Sequence, residues 1–276
     1  MLEKFINSYK LLIIIPVVIT LLSVGIIAFN GVTEGIELKG GTIAVLKMNE
    51  PVGSTSFENH LKTALKIDEV DVISNNNKDV TVQMGSEINS SAFDSAIQGK
   101  GQVVSFNAIG PVLSAEAMTQ IYWAVGFAFL FMSITVFIIF REFVPSIAVI
   151  LAAVSDIIIA LGGMSLFNIP LSIASVGALL MLIGYSIDTD IVLTTRILKR
   201  KEGTVVERAI GAMKTGLTMS ITAITTMVVL YIVTIILIPE ASTLSHIAAV
   251  LIIGLVGDIL TTWFMNLGIL RWYVEG

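Results

Sequence analysis

Ala178-Leu-Leu-Met-Leu-Ile-Gly-Tyr-Ser-Ile-Asp-Thr-Asp-Ile-Val-Leu-Thr-Thr-Arg196 is an apolar run long enough to cross a bilayer, yet it carries Asp188 and Asp190. A carboxylate at the centre of a spanning helix costs about 2.5–3.5 kcal/mol on insertion scales, so it is normally turned toward a partner or a wet path. Gly177, Met181, Gly184 and Asp188 recur at alternating four- and three-residue steps, which puts small residues and one acid on a single face. Asp190 points roughly the other way. The bland alternative, that both acids lie beyond the hydrocarbon where the chain exits toward Arg196 and Lys199, is countered by the apolar Ile191, Val192 and Leu193 that follow.

The rest of the composition agrees with a membrane protein. Hydrophobic residues make up 55% and charged residues 13% of the chain, with a mean hydropathy of +0.91. A net charge of −5 offers no basic surface for nucleic acid, and the absence of cysteine excludes disulfides and thiolate metal sites. The first apolar run, Leu11 to Phe29, follows Lys4 and Lys10 but leads into Phe29-Asn30-Gly31, a poor cleavage site, so it reads as a spanning anchor. Five more spans are expected near 119–140, 146–166, 171–195, 212–238 and 245–270, each supplying the roughly 20 residues a bilayer requires. Lys4, Lys10, Arg141, Arg196, Lys199, Arg200, Lys201, Arg208 and Arg271 all fall on one side of this arrangement. That side is expected to be cytoplasmic, with both termini inside and the protein multi-pass in the plasma membrane.

Three segments follow from this reading: 1–29 as N-terminus and first helix, 30–118 as an extracytoplasmic insert, and 119–276 as a five-helix bundle. Within the insert, Thr42 to Met48, Val70 to Ile73, Val80 to Met84 and Gln102 to Ala108 alternate as strands. Phe57, Leu61, Ala64 and Leu65 mark a helix over 55–66, and a second, shorter one covers 90–98. The order β-α-β-β-α-β predicts a small α+β domain of ferredoxin-like type. His60 reads as an isolated, exposed helix residue, and no metal-ligand or nucleophile–base spacing occurs in the insert.

At several points the chain resembles the SecF family, the smaller membrane subunits of the SecD/SecF protein-export complex within the resistance-nodulation-division superfamily. Ile36-Glu-Leu-Lys-Gly40-Gly41-Thr42 resembles the family's Asp-Phe-x-Gly-Gly-Thr element, and Ile109-Gly110-Pro111 its Val-Gly-Pro element. Ala152-Ala-Val-Ser-Asp156 resembles the third-helix Ala-Leu-x-His-Asp pattern, and Gly184-Tyr-Ser-Ile187 through Arg196-Ile197 the fourth-helix signature Gly-Tyr-Ser-Ile-Asn-Asp-Thr…Asp-Arg-Ile. The spelling departs at Asp188-Thr189-Asp190 in place of Asn-Asp-Thr, at Thr195 in place of Asp, at Lys214 in place of Arg and at Ser155 in place of His; such divergence suits an archaeal member. The resemblance implies a six-helix polytopic protein that works with SecD and the SecY channel complex on a translocating preprotein.

Read from the residues alone, the membrane half suggests coupling to protons or sodium. Asp156 stands about eleven residues into its expected helix, roughly 16 Å along the axis and near mid-bilayer. Asp258 is similarly deep in the last helix, and Lys214, Thr218, Thr222 and Thr225 form a hydroxyl stripe with a cation at its cytoplasmic end. The stripe could line a file of waters, or its hydroxyls could bond back to their own helix. Asp188 or Asp190 is expected to form one polar network with Asp156 and Lys214, and Asp188, which shares the Gly177/Gly184 face, is the favoured relay residue. A receptor-like or scaffolding membrane protein without ion flux is the competing class. Catalysis is not expected: His246 lacks an evident nucleophile partner, no phosphate-binding Gly-x-x-x-x-Gly-Lys loop occurs, and no cofactor or metal is implied.

Overall fold

A computed structural model describes residues 9–76, 78–199, 202–238 and 241–275. Lys4, Arg200 and Lys201, used above for orientation, lie outside the described residues, as does the side chain of Pro111. The chain divides into two compact units, one of residues 34–122 with Leu171–Ile173 and one comprising the remainder.

The first unit contains the sheet. A short helix α2 (Ile36–Lys39) precedes β1 (Gly41–Met48), α3 (Ser54–Leu65), β2 (Val70–Asn76), β3 (Asp79–Met84), α4 (Ser90–Ile97) and β4 (Gly101–Ile109). The four strands lie in the order β2-β3-β1-β4, with every neighbouring pair antiparallel. This is the split βαβ, ferredoxin-like arrangement predicted from the element order. Period-2 positions of β1 and β3 (Ala44, Leu46 and Met48; Val80, Val82 and Met84) point to one face. The i, i+4 pairs Phe57/Leu61 and Phe93/Ile97 of the two helices cover that face.

The two glycines of the Gly-Gly-Thr element have backbone reasons. Gly40 and Gly41 both hold positive φ, at 82° and 133°, and a Cβ on Gly41 would collide with the Met84 carbonyl. Thr42 then donates to the Ser86 carbonyl at 2.9 Å and accepts from the Ile88 amide at 2.9 Å, pinning the loop after β3. A Cβ on Gly110 would come within 2.8 Å of the Glu87 carboxylate. His60 is not an isolated surface residue: its Nε2 lies 2.9 Å from the Ala96 carbonyl, because α3 and α4 run side by side over the same sheet. Leu171–Ile173, expected above as the start of a span, also belongs to this unit. The Gly35 amide donates to the Leu171 carbonyl at 2.7 Å, and the Glu37 carboxylate accepts from the Ile173 amide at 2.7 Å.

Six helices long and apolar enough to cross a membrane account for nearly all of the second unit: Lys10–Asn30, Leu113–Phe140, Phe143–Leu166, Ile173–Lys199, Val205–Leu237 and Ser242–Glu275. The helices that contain them are α1 (Tyr9–Asn30), α5 (Pro111–Phe140), α6 (Phe143–Leu166), α7 (Ile173–Lys199), α8 (Val205–Leu237) and α9 (Ser242–Leu260). After α9 the last span runs through a π-helical turn, Thr261–Asn266, into α10 (Leu267–Glu275). Thr204 starts α8 with a capping box to Glu207. Small residues let the helices close: α6 presents Gly162 to Ser23 of α1 and Gly163 to Ile253 of α9, while Gly257 of α9 meets Ile159 of α6. Large apolar side chains such as Leu21, Phe131 and Ile236 face outward, as a lipid-facing surface requires.

Gly216 of α8 packs directly on the indole of the buried Trp263, with no room for a Cβ. Gly216→Ala is therefore expected to destabilise the bundle by about 1–3 kcal/mol through overpacking against a rigid ring. Thermal melting of the purified protein in detergent checks this. An unchanged melting temperature would mean that the helices do not approach here.

Candidate functional site

Three aspartates from three spans meet in the bundle interior: Asp156 of α6 at 1% exposure, Asp190 of α7 at 0% and Asp258 of α9 at 0%. Helical phase explains the α7 contribution. Ser186, Asp190 and Thr194 recur every four residues, Thr189 stands three beyond Ser186, and all four share one buried stripe. Asp258, Thr261 and Thr262 do the same on the last span. Asn266 is eight residues beyond Asp258, where an ideal α-helix would have drifted about 80° off the stripe. The wider π turn over Thr261–Asn266 rotates less per residue, and Asn266 returns to face Asp190.

Hydroxyl and amide groups bind the acids. Asp156 accepts from Ser186 Oγ at 2.6 Å and from Thr261 Oγ1 at 2.5 Å, one on each oxygen. Asp190 Oδ1 accepts from Thr262 Oγ1 at 2.9 Å and from Asn266 Nδ2 at 2.7 Å. Thr262 Oγ1 also lies 3.0 Å from Asp258 Oδ1, while Thr189 Oγ1 lies 3.2 Å from both Asp258 oxygens and 2.8 Å from the Ser186 carbonyl. Among the described residues no ion pair joins a lysine, arginine or histidine to these three acids; the pairs Lys39–Glu69 and Arg271–Glu275 lie elsewhere.

A hydrogen count shows what this arrangement can do. A threonine hydroxyl has one proton, and Thr262 sits between two carboxylate oxygens. Thr189, the other hydroxyl near Asp258, is nearer to a backbone carbonyl. Both contacts are satisfied together when Asp258 carries a proton and donates it to Thr262, which in turn donates to Asp190. The cluster is thus a hydrogen-bonded path able to hold a proton among apolar helices, where three bare carboxylates without a cation would be far too costly. Among the described residues no group of three His, Cys, Asp or Glu side chains has a metal-holding arrangement.

Asp156, Asp190 and Asp258 are brought together, while the other expected relay residues are not. Asp188, the favoured candidate, is exposed on the far side of α7, because two residues at about 100° each separate it from the buried Asp190. Lys214 is exposed and makes no ion pair among the described residues, so the expected network through it is absent among them. Thr218 donates to the Lys214 carbonyl at 2.7 Å, Thr222 to the Thr218 carbonyl at 2.6 Å and Thr225 to the Ile221 carbonyl at 2.7 Å: the stripe bonds to its own helix. Arg196 ties α7 to α8 through the Gly211 carbonyl and Thr215 Oγ1. Gly184 is exposed, and a Cβ there would meet nothing. Ser186, Thr189, Thr261, Thr262 and Asn266 of the cluster are not among the residues singled out from the sequence. The i+3/i+4 spacing of Thr261 and Thr262 from Asp258 was the available signal.

Residues 88–276 match the family described as protein export membrane protein SecD/SecF, C-terminal. Over 275 residues the chain is 58% identical to the protein-export membrane protein SecF of Methanothermobacter thermautotrophicus, covering 100% of this chain and 96% of that one. It is 44% identical to SecF of Methanocaldococcus jannaschii, covering 98% and 97% respectively. Among solved structures, SecDF of Thermus thermophilus, a translocon-associated membrane protein, superposes over 98% of this chain with a TM-score of 0.76 at 19% identity. SecDF in a super-membrane-facing form gives a TM-score of 0.60 at 21% identity. The chain spans 38% and 39% of those two solved chains.

Proposed function

Because the chain belongs to the SecF family of protein-export membrane proteins, we propose that it works with SecD to draw on a proton or sodium gradient and promote polypeptide passage through the SecY channel complex. Its role in protein export follows from the family. The coupling, and the partners SecD, SecY and preprotein, belong to the proposal. A single observation carries it: three carboxylates from three spans lie buried in one hydroxyl-lined cluster, with no ion pair to a cation among the described residues. A scaffold would gain nothing from so costly a feature, whereas a coupling element needs groups that exchange a charge in the low-dielectric interior.

The second polar set supports a place for SecD. Gly177, Met181, Gly184 and Asp188 run along α7, and a Cβ on either glycine would meet nothing within 4 Å. Asp188 on that face and Lys214 on α8 are both exposed in the isolated chain. Charges facing lipid would be expensive, and small residues favour close helix approach. SecD covers this face in the proposed complex, which leaves Asp188 and Lys214 for contacts between subunits.

The proposed protein crosses the plasma membrane with both termini cytoplasmic and residues 30–118 outside, as the one-sided Lys and Arg distribution supports. The cysteine-free chain makes the labelling test clean. A cysteine at the exposed Asp94 is expected to react with an impermeant reagent from outside, and one at the exposed Glu202 only from the cytoplasm. The reverse pattern would invert the topology. Coupling itself is tested by precursor translocation into energised vesicles with and without an uncoupler. Wild type should lose its stimulation on uncoupling, and Asp156→Asn should show none to lose. Equal uncoupler sensitivity in both would remove the coupling role from the cluster.

A further inference from the structure

We propose that a cleft at the outer end of the bundle holds the hydrocarbon tail of one anionic phospholipid, with Asn168, Tyr231 and His246 on its phosphate. Only its placement on the outer side rests on the orientation proposed above, and the buried acids play no part in it. The cleft measures about 490 Å³, within the roughly 300–1,000 Å³ of small-molecule sites, and lies wholly within the unit that carries the spans. It forms where α9 packs against both α6 and α8. Ala249, Ile252 and Ile253 of α9 line it, Tyr231 comes from α8, and Asn168 and Ile169 come from the turn that ends α6. His246 stands in the second turn of α9, and Ile253 is about 10 Å further along the axis, so the cleft reaches from the helix end into the hydrocarbon layer.

The lining divides by chemistry. Asn168, Tyr231 and His246 each carry an N–H or O–H donor, and no hydrogen bond among the described residues uses it. Ser245 beside them is already engaged, donating to the Ser242 carbonyl at 2.8 Å. Three donors suit an anion, and phosphate oxygens take such hydrogens in short, strong bonds. None of the lining residues is acidic, so nothing there would receive the cationic group of a zwitterionic head. Tyrosine suits this level of a bilayer, with its ring among the tails and its hydroxyl among the headgroups. The apolar part needs an occupant because a groove without partner atoms forfeits dispersion contacts, and a lipid tail is flexible enough to fill it. Apolarity alone would not keep the tail there, since the surrounding lipid is as apolar as the groove. Residence therefore depends on the phosphate contacts. Interfacial water could satisfy the donors but would not fill the apolar part.

The test uses the full chain reconstituted in phosphatidylcholine vesicles with a trace of phosphatidylglycerol whose tail carries a photoreactive diazirine. After illumination, peptide mapping compares Ala249, Ile252 and Ile253 in the cleft with the outward-facing Leu21, Phe131 and Ile236. Labelling in the cleft is expected to exceed that at the outward-facing residues about tenfold, the enrichment that one retained bond to a charged group supplies. The same tail on diacylglycerol, which lacks the phosphate, should show no preference for the cleft. His246→Leu should lower the enrichment severalfold by removing a donor. Ala249→Trp, which fills the cleft, should abolish it while labelling at Leu21 stays unchanged; His246→Leu keeps the test decisive should Ala249→Trp fail to fold. Even labelling of the two groups of residues would overturn the proposal and leave only ordinary boundary lipid. An enrichment that diacylglycerol reproduces, or that survives His246→Leu in full, would overturn the phosphate contacts. An unlabelled cleft beside a labelled Leu21 would also overturn it and assign the cleft to the side chains of a neighbouring protein.

Discussion

Asp190→Asn is expected to reduce gradient-stimulated translocation by about tenfold or more, corresponding to about 1.4 kcal/mol or more of lost coupling, with expression and assembly unchanged. Asn keeps the shape of the side chain and can still accept from Thr262 and Asn266 through its amide oxygen, so the packing around it has no reason to collapse. What disappears is the charge, and with it the terminus of the Asp258–Thr262–Asp190 path. Thr222→Val provides the contrast. Its hydroxyl is exposed and bonded to the Thr218 and Met219 carbonyls of its own helix, so its loss should change translocation less than about twofold. Both variants are read in the same energised-vesicle assay. A full response from Asp190→Asn, or an Asp190-like loss from Thr222→Val, would move the coupling path from the buried cluster to the open hydroxyl stripe.

Phe93→Ala should have the largest effect on stability. Phe93 is fully buried between the sheet and the helices, 5.4 Å from the Phe106 ring, in the core of the small unit of residues 34–122 with Leu171–Ile173. Truncating such a ring costs about 3–5 kcal/mol, against about 5–15 kcal/mol available to a whole domain. Limited proteolysis of the full chain is expected to cut within residues 34–122 far faster than in wild type, while the spans stay protected. Unchanged cleavage would show that this core does not hold the unit together.

Both units were legible in the sequence to different depths, for physical reasons. The strands announced themselves because Ala44, Leu46 and Met48 alternate with less buried neighbours, and the helices because Phe57/Leu61 and Phe93/Ile97 repeat at one turn. The spans were plain from apolar length. Within them the three buried acids were recognised by cost alone, but their phase was not. Asp188 and Asp190 are both compatible with the run around them, and only the packing of α7 decides which turns inward. Asn266 was hidden for a sharper reason: on a regular helix it would drift off the Asp258 stripe, and nothing in Thr-Thr-Trp-Phe-Met-Asn announces a π turn. The pairing of Gly35 with Leu171 joins residues far apart in sequence and leaves no local pattern. The sequence leaves Thr218 and Thr222 open between a water file and bonds to their own helix, because their spacing is the same whether a hydroxyl faces a pore or its own carbonyls.

The central claim is that the cluster holds a proton on Asp258, relayed by Thr262 to Asp190. Infrared spectroscopy of the protein reconstituted in lipid reads this directly through the C=O stretch of a protonated carboxyl shielded from solvent exchange. Wild type is expected to show such a band, Asp258→Asn to lose it, and Thr262→Val to shift it by removing the hydroxyl acceptor. A wild-type spectrum without a buried protonated carboxyl, or a band that persists unchanged in Asp258→Asn, would contradict the account.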